Sequence, residues 1–362
     1  MKSGLVKDIG FFIAHSFINA PIADSTHVIP EIKFIVLQVE TDNGFSGQSY
    51  MLTFHYLPET IKGALKDLKN FSLNKYRINE TKKFLDEFKI ESEYFGNTGL
   101  LKWMESLVNI AMWDAFAKEN NKPIWELLNG NYKGVPVYGS GGWLSYCDEE
   151  LVDEVKRYIA RGFKAVKIKV GSKEIERDIQ RLKKVREAAG SGIKIMIDAN
   201  QGMEVEFAVK LAKSVENLEI YWFEEPIDHE NFDGYKKIKE STNISLAMGE
   251  REYNQIALKE LISLKAIDMW QPDIIRIGGV EKWIESSKYA NDFGIPVLPH
   301  YYKEYDVPLL CTINNYIAAE SFDWIDEFID NQLEIKNGFA YPRKTPGWGF
   351  TFLQDKLTVL NI

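Results

Sequence analysis

Residues 193–226 read IKIMIDANQGMEVEFAVKLAKSVENLEIYWFEEP. Two short apolar runs, IKIMIDAN (193–200) and IYWFEEP (220–226), flank a longer charged stretch with room for one helix. That is a strand, helix, strand unit, and the helical crossover makes its two strands parallel. The same texture recurs outward in both directions: VPVYGS (135–140) and AVKIKVG (165–171) upstream, then SLAMGE (245–250), MWQPDII (269–275), IPVLPH (295–300) and NYIAAE (315–320) downstream. The starts of these runs are separated by 30, 28, 27, 25, 24, 26 and 20 residues, which suits a closed (β/α)8 barrel better than an open sheet.

Outside the repeat the pattern changes. IKFIVLQVETDNGFSGQSY (32–50) alternates apolar and polar residues on either side of Asn43-Gly44, a hairpin signal. From Tyr56 to Lys118 the periodicity is helical, ending in ESLVNIAMWDAFAK. Beyond about residue 330 a turn-rich stretch, FAYPRKTPGWGF (339–350), lacks the repeat texture. The expected architecture is therefore α/β: an α+β capping domain over 1–125, a barrel over 126–330, and a C-terminal segment, 331–362, that returns to the cap.

With 362 residues, 45% of them hydrophobic, the chain can bury a large core. A net charge of −9 leaves no basic surface for nucleic acid. No apolar run is long enough to span a bilayer, and the opening MKSGLVKDIGFFIAHSF has too short and interrupted an apolar patch for a signal peptide. Cys147 and Cys311 lie far apart with no CxxC spacing, which fits a reducing, cytoplasmic setting and argues against a thiolate metal site. Both are expected to be buried packing residues.

In such a barrel the reactive groups sit at the C-terminal strand ends. Those ends carry Lys167 and Lys169, Asp198 and Asn200, Glu224 and Glu225, Glu250, Asp273, His300 and Glu320. Asp198, Glu224 and Glu250 follow one another at intervals of 26 residues, on successive strands. Three converging carboxylates repel unless a cation neutralises them, and an all-oxygen set selects a hard ion, Mg2+ or Mn2+. Lys167 and Lys169, two residues apart on a strand, point to the same side, into the barrel. A lysine beside a divalent cation and a second ammonium loses its proton more easily, which makes it a candidate general base. Asp273 can reach His300 across adjacent strands, fixing the imidazole tautomer and raising its basicity.

In this order the motifs AVKIKVG, MIDANQ, FEEP, AMGE, QPDIIRIGG, LPH and AAE resemble the mandelate racemase branch of the enolase superfamily. The resemblance covers essentially the whole chain. It implies Mg2+ held by Asp198, Glu224 and Glu250; Lys169 as base on one face of a substrate α-carbon; and His300, backed by Asp273, as acid or base on the other. It further implies that Lys167 neutralises a carboxylate oxygen, that Glu320, protonated, donates a hydrogen bond as an enediolate forms, and that Asn200 contacts an α-hydroxyl. Glu225 and Arg276 are read as supporting ion-pair residues outside this set. The substrate is a small carboxylic acid, and symmetric homo-oligomers, from dimers to octamers, are expected.

Once the α-proton has left, returning a proton to carbon gives a racemase, epimerase or cycloisomerase, whereas protonating a β-hydroxyl expels water. Specificity is expected from loops FINAPIADSTHV (17–28) and MLTFHY (51–56), with Trp143, Tyr301 and Tyr302 near the mouth. The first loop carries Asn19, Asp24, Ser25, Thr26 and His27, which suits a polyhydroxy acid and hence an acid-sugar dehydratase. His27 and His55 are either substrate contacts or ordinary surface histidines. A barrel kept only for binding is the remaining alternative; it predicts missing ligands or a broken base pair, and neither is seen.

Overall fold

The computed structural model describes residues 2–362. The capping domain opens with an antiparallel sheet of β1 (Val6–Ser16), β2 (Ile32–Thr41) and β3 (Ser46–Leu52). β2 and β3 pair from Phe34–Leu52 to Glu40–Ser46 across the Asn43-Gly44 turn, where Gly44 takes a φ of 86°. Helices α1 (Pro58–Ser72), α2 (Thr81–Ser92) and α3 (Leu100–Glu119) follow. α3 lies directly on β3: a Cβ on Gly47 would come within 1.9 Å of the Ala111 carbonyl, so only glycine permits this approach.

The barrel strands are β4 (Val135–Gly141), β5 (Ala165–Lys169), β6 (Lys194–Asp198), β7 (Ile220–Glu224), β8 (Ser245–Met248), β9 (Met269–Trp270) and β10 (Ala319–Ser321). They pair in parallel and in sequence from β4 to β9, and β10 pairs with β4 to close the ring. Three of the expected strands are shorter or absent. The run at 269–275 stops at Trp270, because Pro272 ends the ladder and Ile274–Ile277 becomes a helical turn. The run at 295–300 forms no regular strand: Val297 alone bridges Trp270 on one side and Tyr316 on the other. Pro296 and Pro299 remove the donors a longer ladder would need. The run at 315–320 is likewise a bridge at Tyr316 followed by β10.

Tyr138, Met196, Trp222, Ala247, Met269, Leu298 and Ala318 form a small apolar cluster of their own, with a member from nearly every strand position of the ring. The strand missing from this layer is β5, where Lys167 stands instead, its ammonium 5.6 Å from the Tyr138 ring centroid.

The C-terminal segment has two attachments. A hairpin of Ile335–Lys336 and Phe339–Ala340 first pairs with Val135 and Pro136 at the start of β4. The chain then crosses to the cap, where the Trp348 amide donates to Asp114 Oδ1 at 2.8 Å and the Phe352 amide to Gln48 Oε1 at 3.0 Å. It ends in β11 (Thr358–Val359), antiparallel to β1.

Of the cysteines, Cys311 is buried as expected but Cys147 is exposed. Cys147 does not pack; it caps Asp148–Ala160, with its side chain over the first turn and its amide donating to Glu150 Oε2. The native protein should therefore release one rapid equivalent in a thiol-reagent titration and a second only on unfolding. No helix among the described residues is long and apolar enough to cross a membrane.

Candidate active site

The C-terminal strand ends open into a cavity of about 540 Å3. Lys169, Asn200, Glu250, Asp273, His300 and Glu320 line it. Lys167, Asp198 and Glu224 lie deeper, essentially fully buried. All nine candidate residues thus gather at one end of the barrel, in two tiers.

The lower tier is an alternation of charge. Lys167 Nζ bonds Glu224 Oε1, lies 2.7 Å from Glu320 Oε1 and 3.5 Å from Asp198 Oδ2. Lys169 Nζ is 2.6 Å from the same Asp198 oxygen. Asp198 Oδ1 accepts the Asn200 amide and Glu224 Oε2 accepts the Trp222 indole N–H at 3.1 Å. In-register pairing of Asp198 with Glu224 places the two carboxylates side by side. Burial pushes Glu224 up to about 8, and Asp198, Glu320 and Glu250 add repulsion that Lys167 only partly offsets.

Burial, and then Lys167, push Lys169 down, but the carboxylates of Asp198, Asp24 and Glu224 together hold the ammonium above its ordinary value. For Glu320 the resemblance implies a protonated form as an enediolate develops. Burial favours that form, yet Lys167, then His300 and Lys169, keep the carboxyl below its ordinary value, and its Oε2 accepts the Tyr301 amide at 2.8 Å. In this geometry one Glu320 oxygen faces Lys167 and the other the Tyr301 amide.

His300 meets Asp273 as expected, Nδ1 to Oδ2 at 2.8 Å, and its Nε2 lies 3.4 Å from Glu250 Oε2. Burial pulls the imidazole down, but Glu250 and then Asp273 lift it above its ordinary value. Asp273 also caps the Ile274–Ile277 turn, its Oδ1 accepting the Ile275 and Arg276 amides at 2.8 and 3.0 Å. The cap fixes the carboxylate that in turn orients the imidazole. Glu225 pairs with Arg251 at 2.9 Å, while Arg276 stands 3.5 Å from Glu250. Asn200, Gln201, Glu225 and Tyr301 all adopt positive φ at these strand ends, conformations that surrounding structure must hold in place. Asn200 Oδ1 is buried without a partner, an acceptor awaiting a donor.

Among the described residues, no three carboxylate, imidazole or thiol groups close on one another as a ready cage for an ion; lysine ammoniums stand between them. The donor chemistry nevertheless fits a hard divalent cation: Asp198, Glu224 and Glu250 are buried carboxylates from neighbouring strands.

Of the loops expected at the mouth, only Asp24 and His27 of 17–28 and residues 52–54 and Tyr56 of 51–56 line the cavity, with Trp143, Tyr301 and Tyr302; Asn19, Ser25 and Thr26 do not. His55 does not line it and stacks on Tyr56 instead. What sequence reasoning missed is an aromatic wall, with Trp324 stacked on Trp143 and Phe322 (centroids 5.9 and 4.6 Å), and a second imidazole, His229. No spacing signal marks either, since both come from loops.

The sequence matches two family models, "Mandelate racemase / muconate lactonizing enzyme, N-terminal domain" over residues 8–129 and "Enolase C-terminal domain-like" over residues 150–356. The chain is a member of the mandelate racemase/muconate lactonizing enzyme group of the enolase superfamily. Its relatives in this group are lyases and isomerases. It is 30% identical to arabinonate dehydratase of Saccharolobus solfataricus, covering 88% of each chain. It is 27% identical to L-talarate/galactarate dehydratase of Salmonella typhimurium, over 90% of this chain and 82% of that one. A solved racemase from Streptomyces coelicolor, with bound magnesium, shares the fold at a TM-score of 0.93 and 22% identity, covering 98% of this chain and all of that one.

His229 pairs with Glu252, Nδ1 to Oε1 at 2.7 Å, and this hydrogen bond raises the imidazole above its ordinary 6.5 despite partial burial. The pair therefore stabilises the fold below pH 6.5, and that contribution fades as pH rises through the higher native value. The His229 ring proton resonance should titrate above 6.5 and return to the ordinary midpoint in Glu252→Gln.

Proposed function

We propose that this enzyme abstracts the proton α to the carboxylate of an acid sugar and expels the β-hydroxyl as water, giving a 2-keto-3-deoxy acid. The observation that carries this is Lys169 and His300 facing one cavity from strand positions that are not neighbours, each tied to its own carboxylate. Asp198, Glu224 and Glu250 would hold Mg2+, which supplies Lewis-acid stabilisation of charge growing on the substrate carboxylate.

The chain's own groups do the rest. Lys169, whose Nζ pairs with Asp198, takes the α-proton; a cation held by Asp198 would weaken that pairing and favour the free amine. Lys167, fixed by Glu224 and Glu320, keeps positive potential beneath the reacting carboxylate. His300, lifted by Glu250 and Asp273, carries the proton that the departing hydroxyl needs. Asn200 Oδ1 accepts from the α-hydroxyl. The enol left after loss of water then tautomerises to the keto acid.

Proton NMR in D2O with Mg2+ and a panel of acid sugars tests this. Loss of the α-proton signal with growth of a keto-acid spectrum is the expected result. Exchange with inversion and no keto acid would make the enzyme a racemase or epimerase. No exchange with any acid of the panel would refute the proposal.

A further inference from the structure

His300 depends on a carboxylate that hangs from a very short element. Asp273 binds the imidazole through Oδ2 and caps Ile274–Ile277 through Oδ1. A helical turn of four residues is marginal on its own, so something outside it must hold it in place. Among the described residues, two side chains from outside the segment 273–281 hydrogen-bond to its backbone, and both belong to α3 of the capping domain.

Those two, Ser106 and Asn109, are fully buried and lie along one stripe of the helix. The Ser106 hydroxyl is 2.7 Å from the Ile275 carbonyl and 2.8 Å from that of Lys102, and shares one proton between them. Ile275 is also the residue whose amide, 2.8 Å from Oδ1, helps fix Asp273. Asn109 closes the far side of the turn: its Oδ1 accepts the Val280 amide at 2.9 Å, and its Nδ2 donates to Glu281 Oε2 at 2.8 Å. The approach is close, since a Cβ on Gly279, whose φ is 84°, would come within 2.3 Å of Asn109 Oδ1. Trp103, earlier on the same stripe, sets its ring 5.4 Å from the Arg276 guanidinium and lines the cavity.

We infer that Asn109, with Ser106, is a positioning residue: through the turn after Asp273 it fixes that carboxylate, and with it the orientation in which His300 presents Nε2 to the substrate. The capping domain then governs a proton transfer without touching the reacting atoms. His300 is the acid of the proposed elimination, and the role of Asn109 rests on that reading, but the Asp273–His300 hydrogen bond can be followed without substrate.

The test compares the wild-type enzyme, carrying nitrogen-labelled histidine, with Asn109→Ala, Asn109→Asp and the double variant Asn109→Asp/Glu281→Gln. The low-field Nδ1 proton resonance of the His300–Asp273 bond is identified by its loss in His300→Asn. Asn109→Ala should broaden or abolish that resonance and lower kcat for keto-acid formation by about 10- to 100-fold, leaving KM and α-proton exchange nearly unchanged. Asn109→Asp keeps an acceptor for the Val280 amide but sets a carboxylate against Glu281, and should behave similarly. Adding Glu281→Gln restores the pair with donor and acceptor exchanged, and should return most of both the resonance and kcat. Asp114→Asn, which weakens α3 where it holds Gln48 and Trp348, should change neither. An unchanged resonance in Asn109→Ala, equal loss of exchange and elimination, no recovery in the double variant, or the same loss in Asp114→Asn would each overturn the inference. If Asn109→Ala does not fold, the contrast between Asn109→Asp and the double variant decides in the same way. Exchange without keto acid in the wild type would instead defeat the elimination step, and the resonance would still decide the role of Asn109.

Discussion

Lys169→Ala should slow α-proton exchange by about 10³-fold, within the range expected for loss of a positioned general base. His300→Asn should behave differently: with Lys169 intact, exchange should continue, while keto-acid formation should fall by a similar factor of about 10³. The split follows from geometry. Lys169 is bound to Asp198 and His300 to Asp273, so neither substitution disturbs the other's partner. Exchange and elimination, followed in the same D2O sample, separate the two roles. If both variants lost exchange equally, both residues would act at carbon, as in a two-base inversion. Full exchange in Lys169→Ala would remove that lysine from the chemistry.

Lys167→Met is the second large effect, and it is on stability. The ammonium touches Glu224 and Glu320 and lies near Asp198, all of them buried. Methionine fills much of the volume but leaves the carboxylates facing one another, so unfolding should become easier by about 3–5 kcal/mol, the usual result of removing one partner from a buried ion pair. Urea unfolding measures it. Millimolar Mg2+ should restore part of the loss, because a divalent cation among the same carboxylates replaces the missing charge. A loss below about 1 kcal/mol would mean that the carboxylates simply take up protons, as the high value at Glu224 already inclines one of them to do.

Strands β4 to β8 were legible because each is a compact apolar run, ended from β5 onward by a charge, and their observed ends fall close to the expected ones. The stretch from 269 to 320 was not, since prolines 272, 296 and 299 interrupt the ladder inside runs that are otherwise strand-like. In the site, spacing revealed which residues share the barrel end, because one side chain per repeat is a property of sequence. It could not reveal protonation. The upward shift of Lys169 and the downward shift of Glu320 depend on partners 29 and 153 residues away in the chain, Asp198 and Lys167 respectively. The His229–Glu252 pair and the Trp324 wall escaped for the same reason: each is a meeting of loops.

The short helix after His300, Lys303–Leu310, is gripped from three directions. The β3 amides of Tyr50 and Leu52 donate to the Tyr305 and Tyr302 hydroxyls at 2.7 and 3.1 Å, Arg343 of the tail reaches Glu304 at 2.5 Å, and Lys303 bonds Asp326 at 2.7 Å. Cap, tail and barrel therefore share one cooperative unit around the imidazole, and the barrel is not a module that can be lifted out and fitted with a different lid.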